Sequence, residues 1–133
     1  MSKKPTRQQR IDAVRASIEH HRRDVLEPLL AERRVALGAI RSAECSLCCL
    51  ILKADGGAYK TCRMCPLAFI GDVCSPEDRH IDSSWRKLNR ALYALHYPRD
   101  EIPDPIEASR AMIASLEKAL ENELRLQKEE EGK

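Results

Sequence analysis

The sequence predicts a mainly α-helical protein with a long amphipathic helix at each end and a small cysteine-rich module between them. Three observations support this fold class. Charged residues make up 33% of the 133 residues, and the chain has one Phe, one Trp and three Tyr, which is typical of solvated helices rather than β-sandwiches. Apolar residues recur at helical spacing on both sides of the centre. All six cysteines lie between Cys45 and Cys74.

The length is that of a single domain, which we expect to span residues 1–133. Within it the pattern indicates a helical segment at 1–43, a Cys-rich module at 44–82 and further helices at 83–130. The first residues, MSKKPTRQQR, are charged and lack the apolar stretch of a signal peptide, and no segment approaches the roughly 18 apolar residues of a membrane span. We therefore expect a cytoplasmic protein without membrane contact.

The N-terminal helix has a clear start signal. Thr6 and Gln9 form the pattern of a capping box, so we expect the helix to begin near Pro5 and to run to about Ala43. Apolar residues at near-helical spacing mark its buried face: Ile11, Val14, Ile18, Val25, Leu29 or Leu30, Leu37 and Ile40.

Pro28 interrupts this helical pattern because proline has no backbone N–H to donate. We expect a break near Glu27, either as a kink in one long helix or as a second helix with Glu27 as its cap and Pro28 at its first position. In the same segment His20 and His21 lie among charged residues, and we expect both side chains to be solvated.

Two further helices are predicted after the cysteines. The spacing of Trp85, Leu88, Leu92 and Leu95 predicts a short helix from about Ser83 that ends before Pro98. The sequence Asp104-Pro105-Ile106-Glu107 combines an N-cap with a proline at the first helical position, and it predicts a last helix over about 105–129. Its apolar face comprises Ile106, Ile113, Leu116, Leu120 and Leu124.

The cysteine spacing between these helices predicts a metal site. Two Cys-x2-Cys pairs are separated by thirteen residues. Each pair can bind through a tight knuckle, so the two pairs together supply the four sulfur ligands of one tetrahedral ion. The segment Asp55-Gly56-Gly57 between the pairs favours a β-hairpin, which would bring the second pair opposite the first. We therefore predict a central zinc-bound hairpin of the zinc-ribbon or knuckle type, with the ligands Cys45, Cys48, Cys62 and Cys65.

Three alternatives remain for the cysteines. Thiolate-only ligation also suits an iron–sulfur cluster, so iron is the alternative to zinc. The cysteines can instead be small buried side chains without a metal. Cys74 can replace one member of the second pair, whereas Cys49 follows Cys48 directly and is expected to point into the core.

The order Cys45-Ser46-Leu47-Cys48, Cys62-x2-Cys65-Pro66-Leu67 and then Cys74 resembles a CxLC…CxxCP…C pattern in small, mostly uncharacterised proteins of tailed bacteriophages. The resemblance covers about residues 45–85. The Thr-Pro-Tyr that often follows the last cysteine in those proteins is replaced here by Ser75-Pro76-Glu77. The resemblance implies a phage or prophage gene, action inside a bacterium and metal ligation by Cys74, and it implies no reaction.

No catalytic constellation accompanies the cysteines, so we expect a non-enzyme. The residues His80, Asn89 and His96 follow the order of His-Asn-His nucleases, but their spacing is too short and the acidic His pair of that family is missing. A redox Cys-x2-Cys would need a thioredoxin-like βαβ frame, and the chain shows no such strands.

The leading functional hypothesis is therefore a zinc-stabilised interaction protein that binds a host protein, a phage protein or a second copy of itself through its amphipathic helices. The helices carry further apolar residues, for example Val35, Met112 and Leu126. These side chains either contact that partner or fill the core of the chain itself. A DksA-like transcription regulator is an alternative in the same architecture, because such proteins also carry two Cys-x2-Cys pairs between helices.

Charge is distributed unevenly along the chain. Residues 1–34 carry nine Lys or Arg against five Asp or Glu, and residues 101–133 carry five against nine, so the two ends are expected to attract each other within one chain or between two. Nucleic-acid binding is a further alternative, although the first helix has no aromatic residue. It would depend on the basic residues Lys3, Lys4, Arg7, Arg10, Arg15, Arg22 and Arg23.

Overall fold

The computed structural model describes residues 6–31, 35, 66–72, 83–97 and 104–132, and these are mainly helical. The predicted mainly α fold is therefore confirmed for this part of the chain. The predicted β-hairpin lies outside the described residues. Helix α1 runs Arg7–His21, α2 runs Glu27–Leu30, α3 runs Ser84–His96 and α4 runs Pro105–Glu131.

The start of α1 follows the sequence prediction. The Thr6 hydroxyl accepts a hydrogen bond from the Gln9 N–H at 3.1 Å, and the Gln9 side chain accepts one from the Thr6 N–H at 2.8 Å. Two backbone N–H groups that have no partner inside the helix are thereby satisfied. The predicted capping box is confirmed.

The region around Pro28 stays helical. Residues Arg22–Leu26 form a π-helical turn between α1 and α2, in which the Glu27 N–H donates to the Arg22 carbonyl. This wider turn shifts the backbone hydrogen bonds just ahead of the proline, whose ring would clash with a carbonyl in a regular α-helix. Glu27 has helical dihedral angles of −58° and −45°, so it is not a non-helical cap. The alternative of a second helix capped by Glu27 is therefore not observed, and the helical backbone continues from α1 through the π-helical turn into α2.

Both later helices begin where predicted, and Asp104 is the predicted cap. The Ser83 hydroxyl accepts from the Arg86 N–H at 3.2 Å, and α3 ends at His96, two residues before Pro98. The Asp104 carboxylate accepts from the Ile106 N–H at 2.9 Å, with Pro105 in the first turn of α4. At 27 residues, α4 is about 40 Å long.

Helix α4 is the element on which the others pack. Arg7 of α1 contacts Glu123 and Glu130, whereas Arg22 contacts Glu117, so α1 and α4 run antiparallel. Helix α3 and the short turn at 68–70 also pack against α4. The buried core that results comprises Ala13, Val14, Ile18, Val25, Leu29, Val35, Leu67, Leu88, Leu92, Met112, Ile113, Leu116 and Ala119.

The core includes two of the residues that were candidates for a partner surface. Val35 and Met112 are almost completely buried within this single chain, and Leu126 is half-buried. Of the two alternatives for these residues, filling the core is therefore the one observed for Val35 and Met112. No described helix is both long enough and apolar enough to cross a lipid bilayer.

The opposite charges of the two ends meet within one chain. Arg7 Nη2 lies 2.8 Å from Glu130, and its Nη1 binds Glu123. Farther along the same pair of helices, Arg22 lies 3.0 Å from Glu117. Two of the seven basic residues that favoured nucleic-acid binding, Arg7 and Arg22, thus pair with acidic residues of α4.

Candidate metal centre and its helical frame

The predicted ligands Cys45, Cys48, Cys62 and Cys65, and the alternative ligand Cys74, lie outside the described residues, as does Cys49. The metal site therefore stays a prediction from spacing. The structure does describe Val35 and residues 66–72, which flank the two Cys-x2-Cys pairs in the sequence.

The described residues on either side of the two Cys-x2-Cys pairs lie in the same hydrophobic core. Val35 and Leu67 are 2% and 1% exposed, and both belong to the cluster around α4. Val35 and Leu67, which flank both Cys-x2-Cys pairs in the sequence, therefore belong to one packed cluster. Fixing the ends of a loop removes part of the entropy that its closure would otherwise cost.

The chain that follows the second cysteine pair forms a compact turn. Pro66 and Leu67 are buried, and Ala68–Ile70 form a single 3₁₀ turn. The Leu67 carbonyl accepts from the N–H groups of Ile70 at 3.3 Å and Asp72 at 3.0 Å. We call residues 66–72 the anchor turn.

Gly71 closes the anchor turn in a left-handed conformation, with φ at +76°. This region is easily adopted by glycine and is unfavourable for residues with a Cβ atom. No atom lies within 4 Å of the position that a Cβ would take. The backbone conformation rather than the available space therefore favours glycine here.

Asp72 ties the anchor turn to two helices. Its Oδ1 accepts from the Ser84 N–H at 2.9 Å, and its Oδ2 accepts from the Ser115 hydroxyl of α4. The carboxylate also lies at the N-terminus of α3, where the helix dipole favours a negative charge. The turn is therefore held from both ends, by Leu67 in the core and by Asp72 at the helices.

This arrangement places a fixed structure between two candidate ligands. Cys65 is bonded directly to Pro66, and Cys74 follows Asp72 by two residues. The second cysteine pair and Cys74 are thus attached to opposite ends of the anchor turn. A four-thiolate donor set of this kind fits zinc, which prefers tetrahedral sulfur ligands in structural sites.

A buried ion pair lies at the other end of the molecule, between α1 and α4. The Glu123 side chain is 0% exposed and binds Arg7, while its Oε1 has no hydrogen-bond partner among the described residues. The hydrogen bond from Arg7 to Glu130, together with the contact to Glu123, raises the pKa of Arg7. Neither acid was singled out by the sequence pattern. A signal existed, however, since Glu123 is spaced by seven residues from the core residue Leu116.

His21 is buried, which contradicts the sequence expectation that both neighbouring histidines are solvated. Its side chain is 2% exposed, and loss of solvent, with a smaller effect of the nearby His20, lowers the pKa of His21 to about 4. Val14, Ile18, His21 and Val25 follow the spacing of a buried helical stripe, and this periodicity predicts burial better than the charged neighbours predict exposure. His20 instead pairs with Asp24 at 2.8 Å.

The described residues contain no cluster of three or more His, Cys, Asp or Glu that would hold a metal. Of the three residues that follow the order of His-Asn-His nucleases, Asn89 is exposed on α3, His80 lies outside the described residues, and the structure does not describe the side chain of His96.

Comparisons with protein-family models, with curated proteins and with solved structures find no match to this chain.

Proposed function

We propose that this protein is a zinc-stabilised helical interaction protein, without catalytic activity, that binds another protein inside a bacterial cell. Zinc is held by Cys45, Cys48, Cys62 and Cys65, with Cys74 as the alternative to one of the second pair. The resemblance of the cysteine order to proteins of tailed phages supports a phage-encoded protein with a host or phage partner.

The observation that carries the proposal is the anchoring of the cysteine segment on both sides. Val35 and Leu67 hold its ends in one core, and Asp72 holds the following turn on α3 and α4. A helical frame of this kind supports a small loop-rich module, but a module of this size buries little apolar surface of its own. A bound metal supplies the missing stability.

A partner surface is supported by the exposed aromatic residue of the anchor turn. Phe69, the only Phe in the chain, is 56% exposed, although its neighbour Leu67 is buried. Aromatic side chains that are presented by a fixed backbone are frequent anchors of protein interfaces. Phe69 lies four residues after Cys65, so the same metal module would position it.

The test is the metal content of the purified protein and of two matched variants. We expect one equivalent of zinc in the wild type, no zinc in Cys48→Ser, and retained zinc in the control Cys49→Ser. Loss of zinc should also lower the thermal stability of Cys48→Ser, because metal binding and folding are linked in small zinc modules. Retention of zinc and stability by Cys48→Ser would show that the first pair is not a ligand pair.

The same measurement separates zinc from iron. A colourless protein with stoichiometric zinc supports a structural role for the metal, whereas iron with absorbance at about 400 nm would indicate a thiolate-bound iron–sulfur cluster. The second result would overturn the proposed zinc site and direct attention to electron transfer or redox sensing.

A further inference from the structure

We propose that Asp72 positions the anchor turn for metal binding and thereby sets how tightly the protein holds its zinc ion. This role rests on the zinc site proposed above and belongs to a residue outside the predicted ligand set. Asp72 is a positioning residue, because it acts on the metal through the chain to which the cysteines are attached.

The anchor turn brings its two ends together. The Asp72 N–H donates to the Leu67 carbonyl at 3.0 Å, so the two residues lie side by side although they are five positions apart. In the sequence Cys65 precedes Leu67 by two residues, and Cys74 follows Asp72 by two. One backbone hydrogen bond is therefore two residues from a predicted zinc ligand on one side and from its alternative on the other.

The Asp72 side chain joins this closed turn to two helices at once. Its Oδ1 accepts from the Ser84 N–H at 2.9 Å, and its Oδ2 accepts from the Ser115 hydroxyl. Ser84 is the first residue of α3, and Ser115 is 6% exposed on α4. Hydrogen bonds to an ionised carboxylate are about twice as strong as those between neutral groups. Asp72 is therefore directed at the helical frame and holds the turn in addition to the buried Leu67 side chain.

A turn that is fixed before the metal arrives favours tight metal binding. Ligands attached to a preorganised backbone lose less conformational entropy when they converge on the ion. Groups outside the ligand shell orient metal ligands in many proteins, and their substitution typically weakens metal binding by about 10–100-fold. Loss of the Asp72 carboxylate would leave the turn without this tie to α3 and α4, and the cysteines attached to it would bind zinc less tightly.

Competition for zinc against a coloured chelator tests this role on the purified, zinc-loaded full-length protein. Asp72→Ala should raise the zinc dissociation constant by about tenfold, the lower end of the range for groups outside the ligand shell. Asp72→Asn should bind zinc like the wild type, because its amide can accept from the Ser84 N–H and donate to the Ser115 hydroxyl. Ser115→Ala removes one of the two hydrogen bonds and should weaken zinc binding by a smaller factor, which provides the test even if Asp72→Ala does not fold.

Two controls separate positioning from general stability. Asp12→Ala removes an exposed carboxylate of α1 that accepts from the Gln8 side chain at 2.9 Å, and it should leave the zinc dissociation constant unchanged. Arg7→Met removes the partner of the buried Glu123. It should destabilise the fold without changing the zinc dissociation constant, under conditions where circular dichroism shows that the variant is folded.

The role of Asp72 is overturned if the wild type holds zinc but Asp72→Ala and Ser115→Ala bind it as tightly. It is also overturned if Asp72→Asn binds zinc as weakly as Asp72→Ala, or if Arg7→Met weakens binding to the same extent. A wild type without zinc would overturn the proposed zinc site itself, and with it the role of Asp72.

Discussion

At the scale of single residues, the buried pair of Arg7 and Glu123 shows how the two ends of the chain recognise each other. Glu123 is completely buried, and a carboxylate in that position is stable only with a cation beside it. Such a pair adds less to stability than apolar residues would, but it favours one alignment of two helices that are otherwise held by non-directional contacts. We infer that it sets the antiparallel register of α1 and α4.

Replacement of Arg7 by Met should lower the free energy of unfolding by about 3 kcal/mol, because it leaves Glu123 buried without its partner. Urea denaturation of the metal-loaded protein measures the difference. Arg125→Met is the control, since Arg125 and Glu129 form an exposed pair at 3.0 Å, and its loss should cost at most about 0.5 kcal/mol. Equal effects of the two substitutions would contradict the role given to the buried pair.

His21 should make the stability of the protein depend on pH. Its pKa in the folded protein is about 4, below the ordinary value of 6.5, so the unfolded chain binds a proton more readily. The contribution of His21 is therefore fully present above pH 6.5 and is lost as the pH falls towards 4. The loss is expected to approach about 3 kcal/mol, and denaturation at a series of pH values measures it.

The matched variants for this titration are His21→Leu and His20→Gln. The first removes the buried imidazole and should flatten the dependence between pH 6.5 and 4, leaving the part that belongs to carboxylates. The second changes the neighbour that pairs with Asp24 and should keep most of the slope. An unchanged slope in His21→Leu would show that His21 is not the group responsible.

At the scale of elements, the sequence predicted helix starts well because each start depends on a few neighbouring residues. Thr6 and Asp104 form the expected caps, and Ser83 caps α3 at its expected start. Burial was predicted less well where it depends on a neighbouring helix. His21, Met112 and Glu123 are buried because α1 and α4 face each other along much of their length. The polarity of His21 and Glu123 indicates the opposite, and only their helical spacing from core residues indicates burial.

The response to Pro28 was also beyond a local prediction. Proline requires an irregularity, but a kink, a new helix and a π-helical turn all meet that requirement. The structure shows the π-helical turn, with Val25 and Leu29 both packed in the core.

The anchor turn should be sensitive to substitution at Gly71. Gly71→Ala should lower the free energy of unfolding by about 1 kcal/mol, since φ is +76° and the added methyl group meets no neighbour. Thermal or urea denaturation measures this change. Gly132→Ala is the control, because Gly132 ends α4 with φ at −82° and should show little or no loss. A Gly71→Ala variant as stable as the wild type would contradict the strained conformation assigned to this turn.

At the scale of the whole molecule, α4 connects the parts of the chain that lie far apart in sequence. It carries the ion pairs to α1, the hydrogen bond from Ser115 to the anchor turn and much of the core. Val35 and the anchor turn, which flank both Cys-x2-Cys pairs in the sequence, pack on this frame. The sequence predicted the helices and the metal ligands separately, but the spacing of cysteines contains no information on where the metal module attaches.

The central claim is that one zinc ion bound by four thiolates completes the structure that the anchor turn supports. X-ray absorption spectroscopy at the zinc edge of the purified full-length protein tests it most directly. The account predicts a single shell of four sulfur ligands at about 2.3 Å, the distance typical of structural zinc–thiolate sites. A first shell that contains nitrogen or oxygen ligands, or a protein purified without zinc that has the same stability, would contradict it.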